Sequence, residues 1–458
     1  MVSASLTLLI VFATVTFGAV YPWVYLPLFG AATCLGSIGL AGMLRRRSFP
    51  PGLRPLSVGL LVVIVTVAAQ LVPLSRTALQ AISPHTSDLL SQYSFVFAGG
   101  ASRHPLSINP RATRVALIGL CSLTVYAIGL PGLLSRRDLR TVPRNLIVCA
   151  VLLAVAGIYG REHNNGLVYG FWQPGEGTNA NGFGPFVNRN HFAGWMLMTT
   201  CLTLGALCGW IERARGSAKP DLRNRLVWFS TAEANRIVLM AAAAATMAVS
   251  LIWTMSRSGI ISFACAIGCF LWLVARRRGL GRWHRAAIVT TLGLLLFTGV
   301  NWRGFDRIAA WFGDTRDLVD RTAAWRDGWQ VVHDFPLAGT GINTYADAML
   351  FYQKHVLEFW MSRAHNDYLQ LLAEGGLLVV VPAAMAIVLL AVAVRRRVRQ
   401  STGDSYDYWV RAGAGVGLLA IGIQETVEFS LQIPANALLF ATLAAVAISP
   451  YSARRVAE

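Results

Sequence analysis

Apolar runs separated by short polar breaks cover most of the chain. Twelve can be read, at roughly 4–20, 24–44, 56–74, 113–133, 145–160, 190–210, 237–255, 259–275, 286–301, 368–394, 411–429 and 434–449. One crossing of a bilayer's hydrocarbon core takes about 20 helical residues. The pattern therefore predicts an all-α, polytopic membrane bundle of about 12 transmembrane helices. No internal repeat is visible, and residues 1–458 read as a single integral membrane domain. Composition agrees, with 55% hydrophobic and 14% charged residues against about 25% charged in soluble domains. The first run has no basic residue before it. Although "TFGA" resembles a cleavage site, a secretory signal needs a positive leading region, so this run is expected to remain as a helix.

Lysine and arginine set the orientation. With a cytoplasmic N-terminus, the inner segments are 45–54, 135–144, 212–236, 276–285, 395–400 with Arg411, and the C-terminal "ARRVAE". They hold 26 of the 40 Lys and Arg but 5 of the 22 Asp and Glu. The net charge of +18 is thus a membrane-orientation signal, and both termini come out cytoplasmic. A nucleic-acid binder would gather its basic residues on one aqueous face. Here they are spread over six helix junctions, so no nucleic acid is expected as a partner. The seven cysteines all lie inside apolar runs without zinc-ligand spacing and read as small buried packing residues.

Three sizeable segments remain on the outer side. Residues 75–112, with Pro84, Pro105 and Pro110 and no cluster of ionisable groups, read as a covering loop. Residues 160–189 are rich in Gly and Asn and carry Arg161 and Glu162. The longest, 302–367, contains "DLVDRTAAWRDGWQVVHDFP", where Leu318, Trp325, Trp329 and Val332 fall largely on one helical face and Arg321, Asp327 and Asp334 elsewhere. This predicts an amphipathic helix stopped by Pro336, then a glycine turn and a second helix. Such a segment would form a helical periplasmic loop lying over the bundle before helix ten; its plainer alternative is an interfacial helix anchored by tryptophan.

Ionisable residues collect at the outer helix mouths. "GPFVNRNHFAGW" puts Arg189, Asn190 and His191 at the start of the sixth span, and "TMSRSGI" puts Arg257 at the tight turn between the seventh and eighth. "SRAHNDYLQLLAEGG" puts Arg363, His365 and Asp367 at the mouth of the tenth, and "QETVEF" puts Glu425 and Glu428 at the outer end of the eleventh. A charge at that depth is costly, and a lone arginine at a helix mouth is commonly a snorkelling anchor. Four segments bringing charge to one depth are better explained by a site.

Arginine's planar fork takes phosphate oxygens bidentately and stays charged, so a lipid diphosphate is the anion expected at this boundary. If a sugar is attached to it through the anomeric carbon, the arginines would stabilise charge growing on the departing oxygens. The diphosphate leaves without a proton, whereas the incoming hydroxyl must lose one. His365, beside Asn366 and Asp367, is the best placed base. The expected catalytic set is His365, Arg189 and Arg257, with Arg161, Asn190, His191, Arg363, Asp367 and Arg321 expected to bind substrate. His163, His333 and His355 share no ligand spacing, and neither a metal site nor a cofactor is read. Glu374 and the Gly375–Gly376 pair read as a polar helix contact and close packing.

The motifs "GPFVNRNHFAGW", "SRSG" and "AHNDYLQLLAEGGLL", in that order and with a large outer loop before the last, resemble the bacterial O-antigen ligase and O-antigen polymerase superfamily, membrane glycosyltransferases of the GT-C type. The likeness spans about residues 160–430. It implies an undecaprenyl-diphosphate-linked glycan donor, metal-independent transfer, and a site on the periplasmic face of a bacterial inner membrane. It also implies that Arg189 and Arg257 hold the diphosphate and that His365 is the catalytic residue. In such proteins the acceptor is the lipid A-core of lipopolysaccharide (ligases), the growing glycan (polymerases) or a protein Ser or Thr (oligosaccharyltransferases). Segment 161–183, long for a plain ligase, leaves that choice open and makes Arg161 a candidate for the acceptor site. A lipid-oligosaccharide flippase or transporter is the rival reading, but it would place ionisable residues near the bilayer mid-plane, where this chain has few. A scaffold without turnover is the third.

Overall fold

The computed structural model describes residues 2–47, 49–50, 52–135, 137–173, 182–214, 230–277, 280–303, 313, 316–355, 357, 360–401 and 403–450. Among them the chain forms helices α1 (Val2–Val15), α2 (Pro22–Arg45), α3 (Leu53–Ala69), α4 (Arg76–Ile82), α5 (Pro84–Tyr93), α6 (Phe95–Ala98), α7 (Pro110–Leu133), α8 (Asp138–His163) and α9 (Arg189–Arg213). There follow α10 (Ala232–Trp253), α11 (Arg257–Arg276), α12 (Arg282–Arg303), α13 (Arg316–Asp334), α14 (Tyr345–Tyr352), α15 (Asp367–Gln400), α16 (Ser405–Gln424) and α17 (Pro434–Ile448). Parts of the expected inner segments (48, 51, 136, 215–229, 278–279 and the terminal "ARRVAE") lie outside the described residues. So do 174–181 of the Gly/Asn-rich segment and 304–312 of the long outer loop.

Each of the twelve apolar runs is a helix, and the chain is an all-α polytopic membrane protein. Among the described residues seven helices, α2, α7 to α11 and α15, are long and apolar enough to cross a membrane. Helices α1, α3 and α17 are as apolar but shorter, at 14, 17 and 15 residues. Helix α1 stops before the end of its apolar run because Phe17, Gly18 and Ala19 take φ values of 59°, 70° and 60°. A right-handed helix cannot continue through left-handed backbone.

Helix α9 is the axis of the bundle, buried from His191 almost to its end by α8, α10, α11, α16 and α17. Its hydroxyls are therefore cut off from water, and an unpartnered one would be costly. Thr200 and Thr203 return theirs to carbonyls one turn back, at 2.7 and 2.8 Å. Helix α16 approaches so closely that a Cβ on Gly205 would stand 2.3 Å from the Trp409 carbonyl oxygen. Small residues are what let two membrane helices meet at that distance.

Helix α15 is broken at Gly376, whose φ of 55° and ψ of −167° no helix contains. Backbone groups freed in a membrane helix need partners inside the protein, and the segment after α13 supplies them. The Leu377 and Leu378 amides donate to the Pro336 and Leu337 carbonyls, each at 2.9 Å. On the other side of the break, Thr340 and Gly341 donate to the Ala373 and Glu374 carbonyls at 3.0 and 2.9 Å. The Glu374 carboxylate accepts from the Asn343 and Tyr345 amides at 2.8 and 2.9 Å. Gln70, buried at the end of α3, closes the joint by donating to the Ala338 and Glu374 carbonyls at 2.7 and 2.9 Å. The long outer loop is thus built into the bundle rather than laid on it.

Helix α13 forms where the sequence predicts it but presents a different face. Ala324, Gly328, Val331 and Phe335 are buried, whereas Leu318 and Trp329 are exposed. Asp327, expected to point outward, is buried because it binds the incoming chain. Its carboxylate accepts from the Lys354 and His355 amides at 2.9 and 3.1 Å and holds the His355 ring at 2.6 Å. The face that packs is set by small side chains and by this polar tie, which a count of large apolar residues does not register. The cysteines need a similar correction. Cys201 and Cys208 are buried, but Cys34 and Cys265 are exposed, on helix faces turned away from the bundle.

The helix junctions sort into two groups. At one end Asp404 takes Arg213 and Arg140, and Glu212 takes Arg277 at 3.1 Å and the Trp409 indole at 2.6 Å. There too Arg411 donates to the last carbonyls of α17, including Ser449 at 2.8 Å, the usual role of a cation at a helix C-terminus. At the other end meet residues 17–23, 159–173, 183–192, the outer loop and 425–433. The junctions expected on one side of the membrane come together.

Candidate active site

Three helices open at that second end with a polar cap. Asn188 Oδ1 accepts from the Asn190 amide at 2.8 Å, so α9 begins at Arg189. Ser256 Oγ accepts from the Gly259 amide at 3.2 Å, so α11 begins at Arg257, just after Met255 turns the chain with a φ of 52°. Asn366 Oδ1 accepts from the Leu369 amide at 3.0 Å, so α15 begins at Asp367. These are the capping residues that helix starts favour.

The first two of these starts touch. A Cβ on Gly259 would lie 2.9 Å from the Ala193 Cβ, which makes the opening turns of α9 and α11 neighbours. Arg189 and Arg257 therefore rise from adjacent helix N-termini, where backbone amides and the helix dipole already favour an anion. Both side chains are half-buried.

The third start is tied to the first through Glu428, which is 1% exposed. Asn190 Nδ2 donates to Glu428 Oε1 at 2.6 Å, and Arg321 Nη2, from α13, donates to the same oxygen at 2.7 Å. Arg321 Nη1 also donates to the Val427 carbonyl. His365 Nδ1 stands 3.7 Å from Glu428 Oε2, a charge contact still too long for a hydrogen bond. Next in the chain, Phe429 presents its ring to two imidazoles, His191 at 4.6 Å and His365 at 4.9 Å between centroids, both edge-on. His365 has a φ of 48°, a strained conformation for a residue with a side chain and one that collects at functional sites.

The frame around this hub is fixed. Gln424 donates to the Asn190 carbonyl at 2.9 Å, Asn436 to the His191 carbonyl at 3.0 Å, and the Asp367 amide to the Glu425 and Glu428 carbonyls at 3.0 and 3.2 Å. Arg363 donates to Asn343 at 3.3 Å, and Trp325 holds the Ala364 carbonyl at 2.8 Å. Of the expected site residues, Asn190, His191, Arg321, His365 and Asp367 are joined through segment 425–432, and Arg189 and Arg257 border them on α9 and α11. Arg363, two residues from His365, hydrogen-bonds Asn343 of the loop and lies within electrostatic reach of His191 and Asp367. Arg161 is exposed on the last turn of α8, and no described contact joins it to the others.

Burial alone would raise the Glu428 carboxyl, but the Arg321 guanidinium and the His365 ring outweigh it and hold it below its ordinary value of 4.5. Glu425, three residues earlier, goes the other way. Burial first, and the Asp367 carboxyl second, push it far above the carboxylate range. Neither Glu425 oxygen has a hydrogen-bond partner of good geometry among the described residues, so little there offsets the cost of burying its charged form. Glu425→Gln should therefore leave transfer within about twofold of wild type. A raised carboxyl withdraws stability as pH climbs from its unfolded value toward its folded one. The melting temperature of wild type should thus fall relative to Glu425→Gln between about pH 5 and about pH 9; parallel melting curves would show that Glu425 is ionised.

The sequence pointed to both glutamates without giving either a task. What marked them was an acidic pair just past an apolar run, a place where solvation is poor and each must find a partner.

Residues 242–384 match the protein family described as O-antigen ligase. The match supports the O-antigen ligase and polymerase superfamily. At family level that is a membrane glycosyltransferase, working with lipid-linked glycans and glycan acceptors. The matched segment runs from α10 into α15 and contains Arg257, Arg321, Arg363, His365 and Asp367, while Arg189, Asn190, His191, Glu425 and Glu428 lie outside it. The structure joins the two sets. No curated protein matches the chain.

Proposed function

We propose that the chain transfers a glycan from undecaprenyl diphosphate to a hydroxyl of lipid A-core, on the periplasmic face of the inner membrane, by a metal-independent inverting displacement. The observation that carries this reading is the contact between the N-terminal turns of α9 and α11, each opening on an arginine, beside the hub that seats His365. Arg189 and Arg257 grip the diphosphate. The acceptor oxygen attacks the anomeric carbon from the face opposite the leaving group, the carbon–oxygen bond to the diphosphate breaks, and the electron pair stays on the phosphate, where the arginines spread its charge. With Nδ1 turned to Glu428, the other imidazole nitrogen of His365 takes the acceptor's proton. Arg321 acts through Glu428, and both chain termini lie in the cytoplasm, where the basic end of the bundle sits.

The test uses the full-length protein in lipid, a polyprenyl-diphosphate glycan, EDTA, and lipid A-core, free glycan or a Ser/Thr peptide as acceptor. Product is expected on lipid A-core, and His365→Ala should lower its rate by about 10²–10⁴-fold. An unchanged rate in that variant removes the base. Product on free glycan alone makes the protein a polymerase, product on the peptide alone a protein glycosylating enzyme. Donor translocation without any product makes it a flippase.

A further inference from the structure

A second surface lies apart from the reacting groups. At the outer ends of α1 and α8, Phe17, Tyr21, Trp23, Tyr169, Phe171 and Trp172 form one connected set of rings. Phe17 is its centre, 5.6 Å from Tyr21, 5.8 Å from Tyr169 and 5.1 Å from Trp172. Tyr21 and Trp23 are parallel within 7°, and Tyr169 and Phe171 within 20°. The rings are nevertheless open: Phe171 is 72% exposed and Trp23 62%.

Considerable backbone strain holds them there. Phe17, Gly18 and Ala19 are all left-handed, and so are Asn165, Gly166, Tyr169 and Gly170 in the facing turn. Left-handed backbone is unfavourable for residues with a side chain. Two hydrogen bonds lock the turns together, the Trp172 indole to the Tyr21 hydroxyl at 3.1 Å and the Tyr169 hydroxyl to the Val15 carbonyl.

We propose that this aromatic set binds the glycan of the lipid-linked donor, stacking sugar rings beyond the one whose anomeric bond is broken; the inference rests on the proposed glycosyl transfer. Sugar rings offer a face of C–H groups to an aromatic plane and a rim of hydroxyls to polar neighbours. Both are present, since Arg161, Glu162 and His163 are exposed on the last turn of α8, directly before this loop. Tyr169, Phe171 and Trp172 stand on a tight turn beyond the end of α8, a level at which interfacial aromatic belts also lie, so the experiment separates glycan from lipid. Beneath the rings, buried residues pack the turn at Gly18 against the segment that leads into α9. A Cβ on Gly18 would come within 2.9 Å of the Phe186 ring and 3.0 Å of Ile433. Phe186 lies three residues before Arg189, and its ring meets Phe192, beside His191, at 6.0 Å.

The experiment measures transfer by the full chain in lipid from polyprenyl diphosphate carrying either one sugar or a chain of several repeats. Phe171→Ala and Trp172→Ala are each expected to raise the KM of the long donor about tenfold, the loss of one ring contact, with the single-sugar donor and the acceptor KM unchanged. Equal effects on both donors, an effect confined to acceptor KM, or no effect overturns the proposal. So does a loss confined to membrane insertion, which would assign the rings to lipid. Wild-type turnover of the single-sugar donor secures the underlying reaction separately. If wild type transfers nothing, calorimetric binding of the free glycan to wild type and to Phe171→Ala decides, and no binding to wild type overturns the proposal.

Discussion

Arg257→Ala is expected to lower glycan transfer by about 10²–10³-fold while the protein stays folded and inserted. The cap that starts α11 belongs to Ser256, whose hydroxyl holds the Gly259 amide, and the packing of that first turn belongs to Gly259 against Ala193. Neither needs the guanidinium. On the proposed mechanism the variant loses positive charge at the place where the leaving diphosphate gains negative charge. Because that interaction strengthens as the bond breaks, kcat should fall with kcat/KM rather than KM rising alone. Arg257→Lys should recover little, since an ammonium cannot span two oxygens in one plane. Arg189→Ala should behave alike, and the double variant should be far less than additive, because both arginines serve one anion. Single-turnover kinetics with a thermal melt of each variant measure this. Full activity in Arg257→Lys would reduce the residue to a snorkelling anchor.

How much of this was legible beforehand depends on the kind of interaction. Spans, and the sorting of their junctions into two ends, follow from apolar length and from the placement of Arg and Lys, both local properties of the chain. The helix starts at Arg189, Arg257 and Asp367 were legible too, as Asn, Ser and Asn stand before them. The Gly375–Gly376 pair read only as close packing, and the break that Gly376 makes in α15 was not legible. Gly376 accepts a left-handed turn because Pro336 and Leu337, about forty residues earlier, supply carbonyls to the amides beyond it. The burial of Asp327 in α13 and the role of Glu428 were hidden for the same reason. Each carboxylate is explained by partners far away in the sequence, and residue type alone says only that a buried charge must have some. Arg161 shows the converse: a charged residue in a suggestive segment that no described contact joins to the hub.

Glu428→Gln should produce the other large effect, and by a different route. One carboxylate holds Asn190 of α9 and Arg321 of α13 on one oxygen and faces His365 with the other. Glutamine keeps the shape but offers one acceptor and no charge, so the half-buried Arg321 is left facing a neutral amide. Breaking a fully buried ion pair from one side costs about 3–5 kcal/mol; with Arg321 22% exposed the loss is smaller, and it is concentrated where the outer loop meets the bundle. Amide exchange in α13 should therefore rise sharply, while the other end of the bundle, held by Asp404 and Glu212, keeps its protection. Transfer should fall with it, as His365 loses the group that orients it. The pH dependence has a definite sign. Since Glu428 is held below its ordinary value of 4.5, its contribution is complete above that value and is lost as pH falls through the lower, folded one. Wild-type protection of α13 should accordingly persist through about pH 5 and fail in stronger acid, whereas the glutamine variant should be loose at both. Arg321→Ala separates the two roles of the hub. If it loosens α13 as much as Glu428→Gln does but transfers faster, Glu428 positions His365 directly. If the two variants lose activity equally, the carboxylate serves only to dock the loop.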